Sequence, residues 1–216
     1  MPTVIEIYQK YNIMPQLQLH QLRVAGVAKL ICDNFPDQLD TDGVIKACLV
    51  HDMGNILKFD LTLFPESLAP EGLVYWENVK KEISQKYKTK DEHEVTRQIA
   101  KELNLPTGIQ DYLNSVGFLQ TSSNVLHDHY ENKICCYADM RVTPFGIVSA
   151  QERLAEGKKR YQGTSHAFLS DDQFDQFAKD LIALEEQIFK KTRITPDYVT
   201  DQTAANIIDE LKTFSF

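Results

Sequence analysis

Three observations predict an all-α fold. Apolar residues recur at spacings of three and four through most of the chain. Prolines or capping residues stand where the periodic stretches start and stop. No run of alternating apolar and polar residues is long enough to read as a strand.

Pro15 opens the first helix, PQLQLHQLRVAGVAKLICDNF, whose Leu17, Val24, Val27, Leu30, Ile31 and Phe35 follow a near-helical repeat, and Pro36 stops it. A second helix fits TDGVIKACLVHDMGNIL, with Thr41 or Asp42 as its cap and Val44, Ala47, Cys48 and His51 on one face. The stretch from Phe59 to Gly72, with Pro65 and Pro70, reads as a loop placed over a site. Glu71 to Tyr87 gives a third helix and Asp91 to Leu103 a fourth, which Leu105-Pro106 ends before a short fifth.

DHYENKICCYADMRV is the next helix, with Asp128 and Glu131 at capping-box spacing. After Pro144 comes TPFGIVSAQERLAEGKKRYQG, whose charges from Glu152 to Arg160 read as a solvated face. SDDQFDQFAKDLIALEEQIFKKTR is a long helix, acidic at its start and basic at its end as the macrodipole favours. Pro196 precedes a last helix, DYVTDQTAANIIDELKTF. The aromatic set Phe168, Phe174, Phe177, Phe189 and Tyr198 reads as core between the C-terminal helices, rather than as a dimer surface. A homodimer stays open as an oligomeric state.

Composition narrows the classes. The apolar share of 43% and charged share of 25% are those of a soluble globular protein, and 216 residues are enough to bury a core without staples. No apolar run approaches the ~18 residues of a membrane span, so no membrane partner is expected. The N-terminus lacks a basic segment followed by an apolar run, so a cytoplasmic location is expected. Cys32, Cys48, Cys135 and Cys136 form no C-x-x-C pair and sit among apolar residues, as small buried hydrophobes do. A net charge of −8 argues against a nucleic-acid polymer as partner, yet leaves room for a small anion beside a bound dication.

Two histidines and two aspartates are out of place. His51-Asp52 ends a helix whose preceding residues, KACLV, are mostly apolar. Burying a carboxylate there costs several kcal/mol unless a cation or good donors offset it. His20 shares a stripe with Val24, Val27 and Ile31, so it points into the bundle. Asp139 lies on an apolar helix, four residues after Cys135 and three before Val142. Each residue alone has a bland reading, as a packed histidine or a solvated aspartate. The four together fit one shared cation, and an imidazole-carboxylate set suits Fe, Mn, Zn, Co or Mg without choosing among them.

The order of these residues, with LHQLRVAGVAKLI around His20, CLVHDMGNI around His51-Asp52 and YADMRV around Asp139, resembles the HD superfamily of metal-dependent phosphohydrolases. The likeness covers roughly residues 15 to 160. It implies an HD-type domain over residues 1–165, with residues 166–216 a helical extension packed on it. It also implies His20, His51, Asp52 and Asp139 as ligands of a divalent metal, and hydrolysis of a phosphate ester or anhydride in a small molecule, a nucleotide foremost. Some members bind a second metal through further histidines, and His93 resembles the first of these, with His127 or His129 as the other. His166 reads as a loop residue. Members often carry Lys where this chain has Asn55, which adds no charge. Asp52 and Arg23 are the catalytic candidates, Arg23 as a cation for phosphoryl oxygens, with Lys58 and Arg141 behind it. The rivals are a non-catalytic sensor keeping the site and, further off, a di-iron oxygenase on the same scaffold.

Overall fold

The computed structural model describes residues 1–63, 65–161 and 169–216. His166 and Phe168 lie outside the described residues, as does the expected boundary at 165/166. Among the described residues eleven α-helices run in order: α1 Val4–Lys10, α2 Pro15–Asp33, α3 Thr41–Val50, α4 Leu73–Tyr87, α5 Glu92–Glu102, α6 Thr107–Asn114, α7 Thr121–Val125, α8 Tyr130–Asp139, α9 Ala150–Tyr161, α10 Asp171–Phe189 and α11 Asp201–Leu211. The described residues are all-α apart from a small antiparallel hairpin, β1 Val142–Thr143 with β2 Gly146–Ile147.

The centre is α2 packed on α3, α8 and α11, with α6 and α8 also against α3. The stripe predicted for α2 is real: Val24, Val27 and Ile31 are fully buried, as are Val44, Ala47, Cys48 and Leu49 of α3 and Ile134, Cys135 and Ala138 of α8. Each large aliphatic side chain buried there stabilises the fold by about 1.5–3 kcal/mol relative to exposure. Gly26 permits the close approach of α11, since a Cβ there would stand 2.6 Å from Ile208 Cγ1. The four cysteines are free and buried, and burial pushes the Cys32 and Cys136 thiols up to about 12.

The C-terminal helices pack back on this centre. Ser170 and Gln173 form a capping box that starts α10, which lies on α7 and α8. Phe174 and Phe177 meet Phe118, and Phe189 meets Tyr137. Arg141 is a structural clamp: its guanidinium donates to Tyr137 Oη at 2.6 Å and to the carbonyls of Pro196, Val199 and Val148. It is buried among those partners and has no reach to spare for a substrate.

Several local readings change. α1 was too short to show a period in the sequence; a Thr3–Glu6 capping box holds it, and Tyr8 Oη donates to the Leu49 carbonyl at 2.7 Å. Asp40, not Thr41 or Asp42, caps α3 by accepting from Gly43 N. The capping box expected at Asp128 and Glu131 does not form. α8 begins after His129 with no side-chain cap, and Glu131 instead accepts from Asp40 N at 3.3 Å. Pro144 turns the hairpin, so the helix expected after it starts only at Ala150. The stretch from Phe59 to Gly72 is tied to α4, by Lys80 Nζ to the Phe59 carbonyl and Trp76 Nε1 to that of Leu68.

Candidate metal centre

Three helices deliver four side chains to one place. His20 stands in the body of α2, His51 caps the C-terminus of α3, Asp52 follows it, and Asp139 is the last residue of α8. The ligand atoms of His20, His51 and Asp52 all lie within 4.8 Å of one another. Asp139 joins through both imidazoles: its Oδ1 is 3.2 Å from His20 Nε2 and 3.5 Å from His51 Nε2. Asp52 Oδ2 is 3.6 Å from each of the same two nitrogens.

The C-terminus of α3 explains how His51 is held. The last turn of a helix leaves carbonyls without partners, and His51 Nδ1 takes that of Cys48 at 2.8 Å. A carbonyl can only accept, so Nδ1 carries the proton and Nε2 of the neutral ring keeps a bare lone pair. That Nε2 is buried and has no hydrogen-bond partner among the described residues, although two carboxylates face it. A lone pair buried against two anions is unfavourable unless a proton or a metal cation stands between them. The donor set of two imidazole nitrogens and two carboxylate oxygens therefore fits a divalent metal.

Without a metal the same crowding falls on protons. Burial opposes charging His51, yet Asp52 and Asp139 outweigh it and push its pKa up to about 10. Burial would raise the Asp139 carboxyl, and the imidazoles of His20 and His51 beside it reverse this and hold it well below the usual carboxylate range. Asp52 is also lowered against burial, by His51, then Lys58, then His20.

The backbone around Asp52 is pinned by residues with no place in the expected site. Gln21, fully buried, accepts from Asp52 N through Oε1 at 3.2 Å, and Asn55 N donates to the Asp52 carbonyl at 3.0 Å. Gln21 is the residue that sequence reasoning missed. A signal existed, because Leu17, Gln21, Val24 and Ala28 share one helical stripe, and a polar residue there needs a partner. Gly54 lets the start of α5 close on this turn: a Cβ would stand 2.1 Å from the Glu92 carbonyl oxygen, and Gly54 N donates to Thr96 Oγ1.

The other candidates stand apart. His93 is on the first turn of α5 with its side chain 67% exposed, and its Nε2 lies 3.7 Å from Glu92. It is not among the gathered ligands, because its side chain faces solvent although the start of α5 packs on the turn at Gly54. His127 and His129 contact each other just before α8, at the opposite end of that helix from Asp139. Arg23 is engaged elsewhere, with Nε 3.6 Å from Asp201 Oδ1 and Nη1 donating to the Pro144 carbonyl at 3.4 Å. Lys58, just past the turn at 55–57, is the cation whose charge reaches Asp52.

The family model described as HD domain matches residues 18–136, more than half of the chain. The match takes in His20, His51 and Asp52 and ends just before Asp139. The chain therefore belongs to the HD-domain family. No curated protein and no solved structure matches it. No helix among the described residues is long and apolar enough to cross a membrane.

Proposed function

We propose that this protein is a metal-dependent phosphohydrolase that cleaves a phosphate ester or anhydride in a small molecule, with nucleotides the first class to test. The observation that carries this reading is the buried, unpartnered Nε2 of His51 facing Asp52 and Asp139. His20, His51, Asp52 and Asp139 hold the ion. When bound, a divalent metal there supplies an acidified water and positive charge for a phosphoryl oxygen. Asp52, kept ionised, presents its other carboxylate oxygen as the acceptor of the attacking water's proton. Gln21 and Asn55 fix the Asp52 backbone, so that the carboxylate does not have to be ordered during turnover. Lys58 steadies the equatorial phosphoryl oxygens, and Arg23 is second to it because Asp201 already engages its guanidinium.

The test is phosphate release from a panel of nucleotides and phosphoesters with Mg, Mn, Co or Zn, beside elemental analysis of the purified protein. The expected result is metal-dependent release from at least one substrate, abolished in Asp52→Ala. Bound metal with no release from any substrate would instead support a sensor that binds without cleaving. Release that persists undiminished in Asp52→Ala would overturn the site.

A further inference from the structure

The opposite end of α8 carries the reverse charge. A cavity of about 380 Å³ opens there, lined by Tyr130 and Lys133 of α8, Asp128 before it, and Gln187, Lys190 and Lys191 at the end of α10. Lys133 exposes only 2% of its surface. Its ammonium donates to Gln187 Oε1 at 2.5 Å and lies 5.1 Å from the centre of the Tyr130 ring, which Lys191 also approaches at 5.9 Å. Among the described residues none of these three lysines is paired with a carboxylate, in a chain whose net charge is −8.

Ordinary helix electrostatics explains part of this. Lys190 and Lys191 follow the last residue of α10, where the macrodipole favours cations. Lys133 has no such reason. It is the fourth residue of α8, close to an N-terminus that disfavours a positive charge and that lacks a side-chain cap. Burial lowers the Lys133 pKa and Asp128 only partly opposes this, so an ammonium held there against a neutral amide and a ring remains unfavourable without a closer counter-charge. His127 and His129 add two imidazoles at the same helix start, close enough that His129 and Lys133 both act, after burial, to lower the His127 pKa.

We infer that this cavity is a binding site for a small phosphate-bearing anion of the di- or triphosphate kind. Its volume is that of a small-molecule site. The three lysines lining the cavity match the charge of a pyrophosphate group, whose oxygens accept from the lysines and from the free amides that open α8. The net negative charge of the rest of the chain repels a longer polyanion. The site is separate from the metal centre. None of the four clustered residues lines it, and Asp139 lies six residues beyond Lys133, roughly 9 Å along the helix and about 120° round it.

Calorimetric titration with inorganic pyrophosphate tests this in the full chain, in the wild type, in Asp52→Ala and in the double variant Lys190→Gln/Lys191→Gln. Both lysines are exposed, so the double variant keeps its fold. Binding to Asp52→Ala should equal that of the wild type, and the double variant should bind at least tenfold more weakly. Binding that vanishes in Asp52→Ala, binding undiminished in the lysine variant, or no binding to the wild type would each overturn the inference. No arm measures turnover, so the result stands apart from whether the metal centre hydrolyses anything.

Discussion

The two ends of α8 solve opposite electrostatic problems with the same tools. At its C-terminal end, Asp139 meets Asp52 and two imidazoles, an excess of anionic and lone-pair density that a cation would relieve. At its N-terminal end, Lys133 lines one cavity with Lys190 and Lys191, none of them paired with a carboxylate among the described residues, an excess that an anion would relieve. Each placement runs against the helix dipole, which prefers anions at the start and cations at the finish. Groups set against the local field lower stability, and such groups collect where a ligand supplies the missing charge.

The largest expected effect breaks one end and spares the other. His20→Ala should lose bound metal and bring phosphate release to background, while pyrophosphate affinity at the far end is unchanged. Next comes the support beneath the metal ligands. Gln21→Leu leaves Asp52 N without its acceptor, and metal affinity should fall roughly 10–100-fold, the usual range for such supporting bonds. Gln21→Glu keeps an acceptor oxygen at that place and should restore most of the loss, read by competition with a metal indicator.

The acidic end should also answer to pH. In metal-free protein His51 is pushed up to about 10 by Asp52 and Asp139 against its burial, so it is protonated at neutral pH. An entering ion must expel that proton. Affinity should rise by up to about tenfold per pH unit through the neutral range, and calorimetry in buffers of different ionisation enthalpy should find a proton released. The same shift sets a stability window for the metal-free chain: a raised imidazole pKa stabilises fully below its unfolded value, and that stability is lost as pH rises through about 10. The smallest effect belongs to the basic end. Lys133→Met removes an ammonium that Asp128 only partly offsets and should raise unfolding stability by about 1 kcal/mol. A clear loss of stability would mean that its bonds to Gln187 and Tyr130 outweigh its burial.

What was legible in the sequence was whatever follows from period and punctuation. The stripe through Val24, Val27 and Ile31 placed His20 inward, and the apolar run before His51-Asp52 marked that pair as half-buried. What was not legible depends on contacts made across the fold. Lys133 reads as an ordinary helix charge until α10 is seen to close over it. Glu131 reads as a cap until Asp40, 91 residues earlier, claims its carboxylate. Arg23 and Arg141 read as free cations until Asp201 and the carbonyls of Pro196 and Val199 engage them. Gln21 was readable in principle, since its stripe was apolar, but a glutamine between His20 and Leu22 passes for a solvent-facing side chain unless its face is counted.

The most direct test of the four-residue centre is elemental analysis of the wild type, Asp139→Ala and His93→Ala, purified alike. Asp139 lies just beyond the family match, and His93 is exposed on α5. About one divalent metal ion per chain is expected in the wild type and in His93→Ala, and essentially none in Asp139→Ala. Metal retained in Asp139→Ala, or lost in His93→Ala, would contradict it.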